Sequence, residues 1–519
     1  MKLFHLKSNH IFLFCIVFTF FVMGCGYNEN EENAVVQTDV NTEDTGTEMD
    51  SSSTLSAAEK DTVIWNIYFS EYIEIWQEPL NQLLAEKGVP YRVKLEAYHT
   101  AMEEPLADAV DTLEKMKQAN ERADVIAVPS SGYTTMADRK LLMPLDDFLE
   151  SERGMEIVNS LPERDLARCK YKGTTYGISA HLRTVGAVAY DKALLKKYNI
   201  DASELSANIF ENESLLQKVK DGEGGKVVPY AYNDNILYSL GVWKVDPMEC
   251  LAYTKDGEAV NIFETEELRK KLFQIKDFKD KGLLNIVSEN GFGSFFATDE
   301  LVHREDPYES SLSYADNPKQ DALTEYLVIP DMQRPQIAPF WGDAQTAIAS
   351  WSQNQEYALD FLIRLYTDPD IANLIFYGNE GKEYTVEDNV ATRLPGNLLW
   401  VFGEHYTNAL AAFSQNDTAR DKTAFQTRYY EQCESFIPDG FRFDSAPVAK
   451  EVEATNAVYY ESIEERKLSN EINNLFLLNV TDIDAALSEI NEKLKEAGID
   501  RIVLEFNRQL AEWRTNYER

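Results

Sequence analysis

Residues 62–128 alternate strand and helix patterns, and that order restricts the fold more than any other feature of the chain. Thr62-Val63-Ile64-Trp65-Asn66-Ile67-Tyr68-Phe69 is rich in β-branched and aromatic residues, the composition of a buried strand. Tyr72, Ile73, Trp76, Leu80, Leu83 and Leu84 then recur at helical spacing, with Gly88 as the stop. Tyr91 to Tyr98 alternates as a second strand, a helix is expected over roughly 105–120, and Ala123 to Val128 is a short apolar strand. The order β-α-β-α-β argues for an α/β fold with a mainly parallel sheet flanked by helices. Ligands of such sheets bind at the carboxyl ends of the strands. There the loop Pro129-Ser130-Ser131-Gly132-Tyr133 offers the Ser131 hydroxyl, backbone donors and the Tyr133 ring. A ligand loop and an ordinary capping turn both suit it.

The full chain has 519 residues, too many for one ordinary core, so two or more units are expected. It carries 88 Asp and Glu against 50 Lys and Arg, a net charge of −38. A surface of that sign repels phosphate backbones, which argues against nucleic acid as a partner. The five cysteines are Cys15, Cys25, Cys169, Cys250 and Cys433. No CxxC spacing occurs, and an odd count argues against a disulfide framework. Cys169, Cys250 and Cys433 are read as buried free thiols.

Residues 1–24 read as an export signal. Lys2 and Lys7 supply the positive start, and Ile11 to Met23 is an apolar run too short to span a bilayer comfortably. The run ends in Val22-Met23-Gly24-Cys25, which resembles the bacterial lipobox; Val22 and Gly24 fit it and Met23 departs from it. That resemblance implies lipidation of Cys25 and a body anchored at the extracellular face of the cytoplasmic membrane. An uncleaved anchor helix with an incidental cysteine is the other reading, and it leaves the body on the same side. Residues 25–60 then read as a disordered acidic tether. Between 26 and 59 stand nine acidic residues and no Lys or Arg, too polar a stretch to bury surface against its ordering entropy.

Further along, Tyr171 to Ile178 reads as a strand pair with a tight turn, and Val185 to Asp191 as a strand leading into a helix over Lys192–Tyr198. Asp256-Gly257 marks a hairpin. A helix is expected from about 265 to 281, ending at Gly282, and residues 285–345 look irregular. Helices are expected over about 355–377, 402–415, 420–435 and 448–475. In the last pair Thr481 is the expected cap, Ile483, Leu487, Ile490 and Leu494 form one stripe, and Val503, Phe506, Leu510 and Trp513 another. Trp76 and Trp513 lie on apolar stripes and read as core.

Three stretches resemble the extracellular solute-binding proteins of bacterial ABC importers, in the large carbohydrate-binding group. The first is Lys172-Gly173-Thr174-Thr175-Tyr176-Gly177-Ile178 with Ala189 to Tyr198. The second is Asn354-Gln355-Glu356-Tyr357-Ala358 with Tyr377-Gly378-Asn379-Glu380-Gly381-Lys382-Glu383-Tyr384, where Gln355 replaces the family's usual proline. The third is Leu494 to Asp500 with Gln509-Leu510-Ala511-Glu512-Trp513, similar to the ending of a Gram-positive lipoprotein subgroup. Each is weak alone; behind a lipobox and in the family's order they reinforce one another. The resemblance implies a two-lobed, type II periplasmic-binding-protein-like fold that hinges shut on its ligand. Lobe one would take 61–180 plus about 335–380, and lobe two about 181–334 plus about 381–519. It also implies a carbohydrate ligand, a permease as partner, no cofactor and a monomeric protein.

Sugar recognition needs flat apolar faces for the C–H side of a pyranose and planar polar groups for its hydroxyls. Trp341 and Trp243, in loop-like stretches, are the expected platforms, with Arg183 and Asp343 as hydroxyl binders and His181 beside the hinge entrance. Ser131 and Tyr133, from the loop above, join them, with Tyr68 and Trp65 at the first strand as secondary candidates. For the tryptophans, packing in a core is the competing reading; for Arg183 it is a structural ion pair.

Enzyme signatures are absent. His99, His181, His303 and His405 form no HExxH or other close pair, there is no GxSxG elbow, and Gly222-Glu223-Gly224-Gly225-Lys226 lacks the Ser or Thr of a P-loop. No calcium loop of EF-hand spacing appears either, so no metal ligand is assigned. A glycosidase carboxylate pair is not excluded by inspection, which leaves a surface glycan hydrolase as the alternative, together with a binding protein for another solute such as a peptide.

Overall fold

The computed structural model describes residues 61–99, 109–129, 132–179, 184–224, 227–228, 231–233, 250–254, 257–287, 297–298, 311–313, 326–330, 344–394, 406–415, 422–432, 438–462 and 467–518. Its first unit opens with β1 (Thr62–Phe69), α1 (Glu71–Glu86), β2 (Arg92–His99), α2 (Ala109–Gln118) and β3 (Val125–Val128), followed by a short strand β4 (Gly177–Ile178). The long strand β5 (Thr184–Asp191) comes next, then, far along the chain, β6 (Tyr326–Pro330) and β7 (Gln345–Ile348). The first sheet has the order β2-β1-β3-β7-β4. β1 runs parallel to β2 and β3, as the strand-helix alternation requires; β7 is antiparallel to both β3 and β4. A strand arriving more than 160 residues after β4 has no helical crossover to impose a parallel direction, so the sheet is mixed.

The core of this unit explains its aromatic strand. Trp65 stacks on Trp76 of α1 at 6.0 Å and 11°, and Phe361 and Tyr406 meet the Trp65 ring edge-on at 5.2 and 5.9 Å. Offset and edge-on geometries suit the ring quadrupoles. The chain therefore returns to this core as late as Tyr406, well past the boundary expected near 380.

A second core gathers Tyr190, Leu194, Leu216, Leu251, Ile262, Phe263, Leu272 and Ile275 with Phe441, Tyr459, Leu475, Ile490, Leu494, Phe506 and Leu510. β5 leads into it from the first sheet and ends on Asp191, whose carboxylate accepts from the amides of Ala193 and Leu194 and caps the helix Lys192–Tyr198. β6 runs back alongside, antiparallel to β5 from Tyr326 opposite Asp191 to Pro330 opposite Ala187.

Three helix expectations change. The helix expected over 355–377 is two, α3 (Gln355–Thr367) and α4 (Pro369–Tyr377), because Pro369 cannot continue a helix but can begin one, capped by Asp368. Residues 406–413 form turns rather than a helix: Thr407 donates to the Leu365 carbonyl, and the Asn408 side chain donates to Tyr366 O and accepts from Leu410 N. Such side-chain bonds offer the backbone an alternative to the helical ladder. The span 448–475 is broken between α6 (Ala449–Tyr459) and Asn470–Phe476 by a bulged pair, Tyr460–Ser462 with Lys467–Leu468; α5 (Lys422–Gln432) precedes it. In the last pair, α7 (Ile483–Glu496) is capped by Asp482, one residue after the expected Thr481, and α8 (Ile499–Tyr517) starts from Gly498 at φ 95°. The turn at Lys172-Gly173, the hairpin at Gly257 and the helix Glu266–Asp280 form as the sequence predicts. Among the described residues, no helix is long and apolar enough to cross a membrane.

Candidate ligand-binding edge of the first sheet

The carboxyl ends of β1 and β3 define one edge of the first sheet. At that edge Val128, the last residue of β3, pairs with Gln345, the first of β7, and Thr346 pairs with Ile178, the last of β4. The chain after Ser179 and the chain before Ala344 therefore leave from neighbouring positions of one sheet edge, beside the loop that starts at Pro129. His181, Arg183, Trp341, Asp343, Ser131, Trp243 and Cys25 lie outside the described residues. The pairing joins the flanks of two of those segments, 180–183 and 341–343, which are far apart in sequence.

The remaining candidates are described, and the structure gives them a different use. Trp65 is fully buried between Trp76, Phe361 and Tyr406, with no face open to a ligand. Tyr68 is enclosed as well, its ring 5.4 Å from Tyr406 and its amide donating to the Tyr406 hydroxyl. Tyr133 is buried; its hydroxyl donates to Cys169 O at 2.5 Å and accepts from Tyr176 N at 3.0 Å. Burial pushes the Tyr133 hydroxyl well above its ordinary pKa, so it stays protonated and serves as a strut between the loop and β4. These three rings are packing elements: the alternation of β1 aims Trp65 into the core, and the chain closing over Tyr68 and Tyr133 removes their exposed faces.

What the edge does offer is polar and came from no sequence pattern. Gln345 and Ser179, at the edge, are 1% and 6% exposed, and Asn66, inside the sheet opposite Ile126, is 3% exposed. Among the described residues, the Gln345 Oε1, Ser179 Oγ and Asn66 Oδ1 atoms have no hydrogen-bond partner. A buried polar atom left unpaired costs about 1–3 kcal/mol, so folded chains keep few of them without a purpose or a bound water. The Gln345 side chain lies across Gly177, where an added Cβ would stand 2.9 Å from Oε1. The glycine of the Tyr-Gly-Ile run thus makes room for a polar side chain at the edge. Ser179 is held by its backbone, whose amide donates to Cys169 Sγ at 3.3 Å and whose carbonyl accepts from that sulfur at 4.0 Å, and Ile178 O accepts from the Tyr366 hydroxyl at 2.5 Å. Cys169 and Cys250 are buried and form no disulfide among the described residues, and Cys433 lies outside them. Among the described residues no group of three or more His, Cys, Asp or Glu is set to hold a metal.

Residues 87–381 match the family described as bacterial extracellular solute-binding protein, and residues 438–515 match a domain of unknown function. A curated protein of Streptococcus pneumoniae serotype 4 (strain ATCC BAA-334 / TIGR4), named carbohydrate ABC transporter substrate-binding protein, is 23% identical over 412 residues, 75% of this chain and 79% of its own. Among solved structures, the N-glycan transport solute binding protein NgtS of Streptococcus pneumoniae superposes with a TM-score of 0.62 at 17% identity, covering 88% of this chain and 99% of that one. An HMO binding, ABC-transporter associated solute binding protein of Bifidobacterium longum infantis ATCC 15697 gives 0.53 at 13% identity over 86% and 98%. An extracellular solute-binding protein of Bifidobacterium longum subsp. infantis gives 0.52 at 14% over 89% and 100%. At such identities the likeness speaks for the fold.

Proposed function

The chain belongs to the bacterial extracellular solute-binding proteins, and from that membership we propose that it captures a carbohydrate, in particular an oligosaccharide, and delivers it to the permease of an ABC importer. Its fold is of the type II binding-protein kind, mixed α/β. The observation that carries the proposal is a pair of polar side chains, Gln345 and Ser179, buried where β3 and β4 end and β7 begins, and without a hydrogen-bond partner among the described residues. A sugar hydroxyl donates and accepts at once, so it satisfies both atoms without bringing charge into a strongly acidic protein. The descriptions of the relatives, which are carbohydrate, N-glycan and HMO binders, support the same ligand class.

In this reading the ligand lies between two lobes, 61–180 with 335–380 and the return through Tyr406, and 181–334 with the remainder of 381–519, and its binding draws them together. Trp341 and Trp243 are the stacking platforms, and Arg183, Asp343, His181 and Ser131 bind hydroxyls. The protein carries out no covalent chemistry, and it is held at the extracellular face of the membrane by a lipid on Cys25 through the acidic segment 25–60.

Calorimetric titration of the soluble protein beginning near Lys60 against a panel of oligosaccharides tests this. One-to-one binding at micromolar or tighter affinity, with the sugar recovered intact, is the expected result. Turnover of the sugar would make the protein a glycan hydrolase, and a folded protein that binds peptides but no sugar would overturn the ligand class.

A further inference from the structure

We propose that residues 438–443, which open the segment matched by the domain of unknown function, are the clasp on which the two units of the protein turn, with Asp439 as its ionic latch. The proposal rests on the two-lobed reading above, but not on the identity of the ligand.

One end of the clasp is held by the first unit, through the helix Glu163–Arg168 that precedes β4. Arg164 Nε donates to Asp439 Oδ2 at 2.8 Å and Arg168 Nε to Oδ1 at 3.0 Å. Gly440, at φ 89°, backs onto the same helix, where an added Cβ would stand 3.0 Å from Ala167 O. Arg442 donates to Arg168 O at 3.2 Å and lays its guanidinium 5.0 Å from the centre of the Tyr133 ring. The helix is gripped from a second side by α5: Gln426 Nε2 donates to Asp165 Oδ2 at 2.6 Å, and the Tyr430 hydroxyl donates to Oδ1.

The other end belongs to the second core. Phe441 meets Phe506 and Trp513 edge-on at 5.3 and 6.1 Å, and Phe443 lies 4.8 Å from Phe506. Both partners stand on α8, whose Tyr517 touches the turn at Gly173 of the first unit. Only Gly440 separates Asp439 from Phe441, and two residues of fully extended chain reach about 7 Å. The strap cannot stretch, so relative motion of the units has to turn about this point.

The charges suit a latch rather than a rigid weld. Asp439 keeps 16% of its side chain exposed, against 23% and 5% for Arg164 and Arg168. Burial raises the Asp439 carboxyl, but the hydrogen bond from Arg164 and the charge of Arg168 outweigh it and hold the group below the ordinary carboxylate range. Removing the carboxylate leaves two guanidinium groups facing each other, partly out of water.

The test uses the ligand-free full-length protein, spin-labelled at Glu156→Cys in the first unit and Glu492→Cys on α7, both exposed positions. Pulsed dipolar spectroscopy reads the distance distribution between the labels. With Asp439→Asn the distribution is expected to broaden at least twofold, amides of Glu163–Arg168 to exchange hydrogen at least tenfold faster, and Asp439→Glu to restore most of both. An unchanged distribution in Asp439→Asn, with the protein folded, overturns the clasp. Should Asp439→Asn fail to fold, Arg164→Gln removes one of the two guanidinium partners of Asp439 and has to broaden the distribution on its own. Oligosaccharide binding is measured separately on the unmutated protein and on each variant: a variant that binds sugar with an unaltered distribution defeats the clasp alone, and a broadened distribution in the variant with no sugar bound by the unmutated protein defeats only the ligand class.

Discussion

The hydroxyl of Tyr133 donates to the carbonyl oxygen of Cys169 at 2.5 Å, in a position with no exposure to solvent. The residue that looked in sequence like a loop aromatic waiting for a ligand is a bridge between two backbone segments. Replacing Tyr133 with Phe removes that bond and the one accepted from Tyr176 N, leaving a buried carbonyl without its donor. The expected loss is about 1–3 kcal/mol. Urea unfolding of the variant checks it, and a loss below about 0.5 kcal/mol would show that water takes over the bond.

Trp65→Ala is expected to cost about 3–5 kcal/mol, because a fully buried indole is deleted from a core and the neighbours relax only in part. Trp65→Phe should cost less. A platform role predicts the opposite pattern, normal stability with lost affinity, so denaturation and titration of the same variants separate the two.

Ser179→Ala is expected to leave the ligand-free protein as stable as before or slightly more so. Its hydroxyl has no partner to lose among the described residues, while its backbone contacts to Cys169 stay in place. Affinity for the sugar should nevertheless fall by about tenfold, the loss of one hydrogen bond of about 1.4 kcal/mol. Thermal melts with and without ligand measure both, and unchanged affinity would remove Ser179 from the site.

Lys422 gives a pH dependence whose sign is definite. It is buried with no carboxylate partner among the described residues, donating to the carbonyl oxygens of Ala409, Ala412 and Phe413 at 2.6, 2.7 and 3.0 Å, and burial pulls its ammonium down to about 7. The unfolded chain then binds more protons than the folded one between about pH 7 and the ordinary lysine value of 10.5, so this group's contribution to stability rises across that window. The stability of the wild type minus that of Lys422→Met should therefore grow from pH 7 to pH 10 and stay flat from pH 5.5 to 6.5. A difference that shrinks as pH rises would mean that the three carbonyls hold the ammonium charged.

Cys25→Ser is expected to abolish incorporation of labelled palmitate and to move the protein from the membrane fraction to the medium. Persistent labelling would place the lipid elsewhere.

Much of this architecture was legible in the sequence because local rules decide it. The β-branched and aromatic run of 62–69, the stripe through Trp76, Leu80 and Leu84, and the Lys172-Gly173 turn each carry their own geometry, and each formed where the pattern placed it. The failures are local rules overruled by distant partners. Residues 406–413 have helical composition, yet Thr407 and Asn408 spend their side chains on the carbonyls of Leu365 and Tyr366, some 40 residues earlier.

The chain's order of strands and helices, its acidic surface and its family membership follow from the sequence by itself, since period, charge and motif are properties of consecutive residues. Which polar atoms stay unpaired does not, because that depends on who stands opposite whom. Ser179 and Gln345 lie more than 160 residues apart, and only the antiparallel return of β7 beside β4 brings them to one edge. Asp439 likewise becomes a latch only because Arg164 and Arg168, about 270 residues upstream, fold against it. A ligand edge and a clasp are relations between surfaces, and tertiary packing is what creates them.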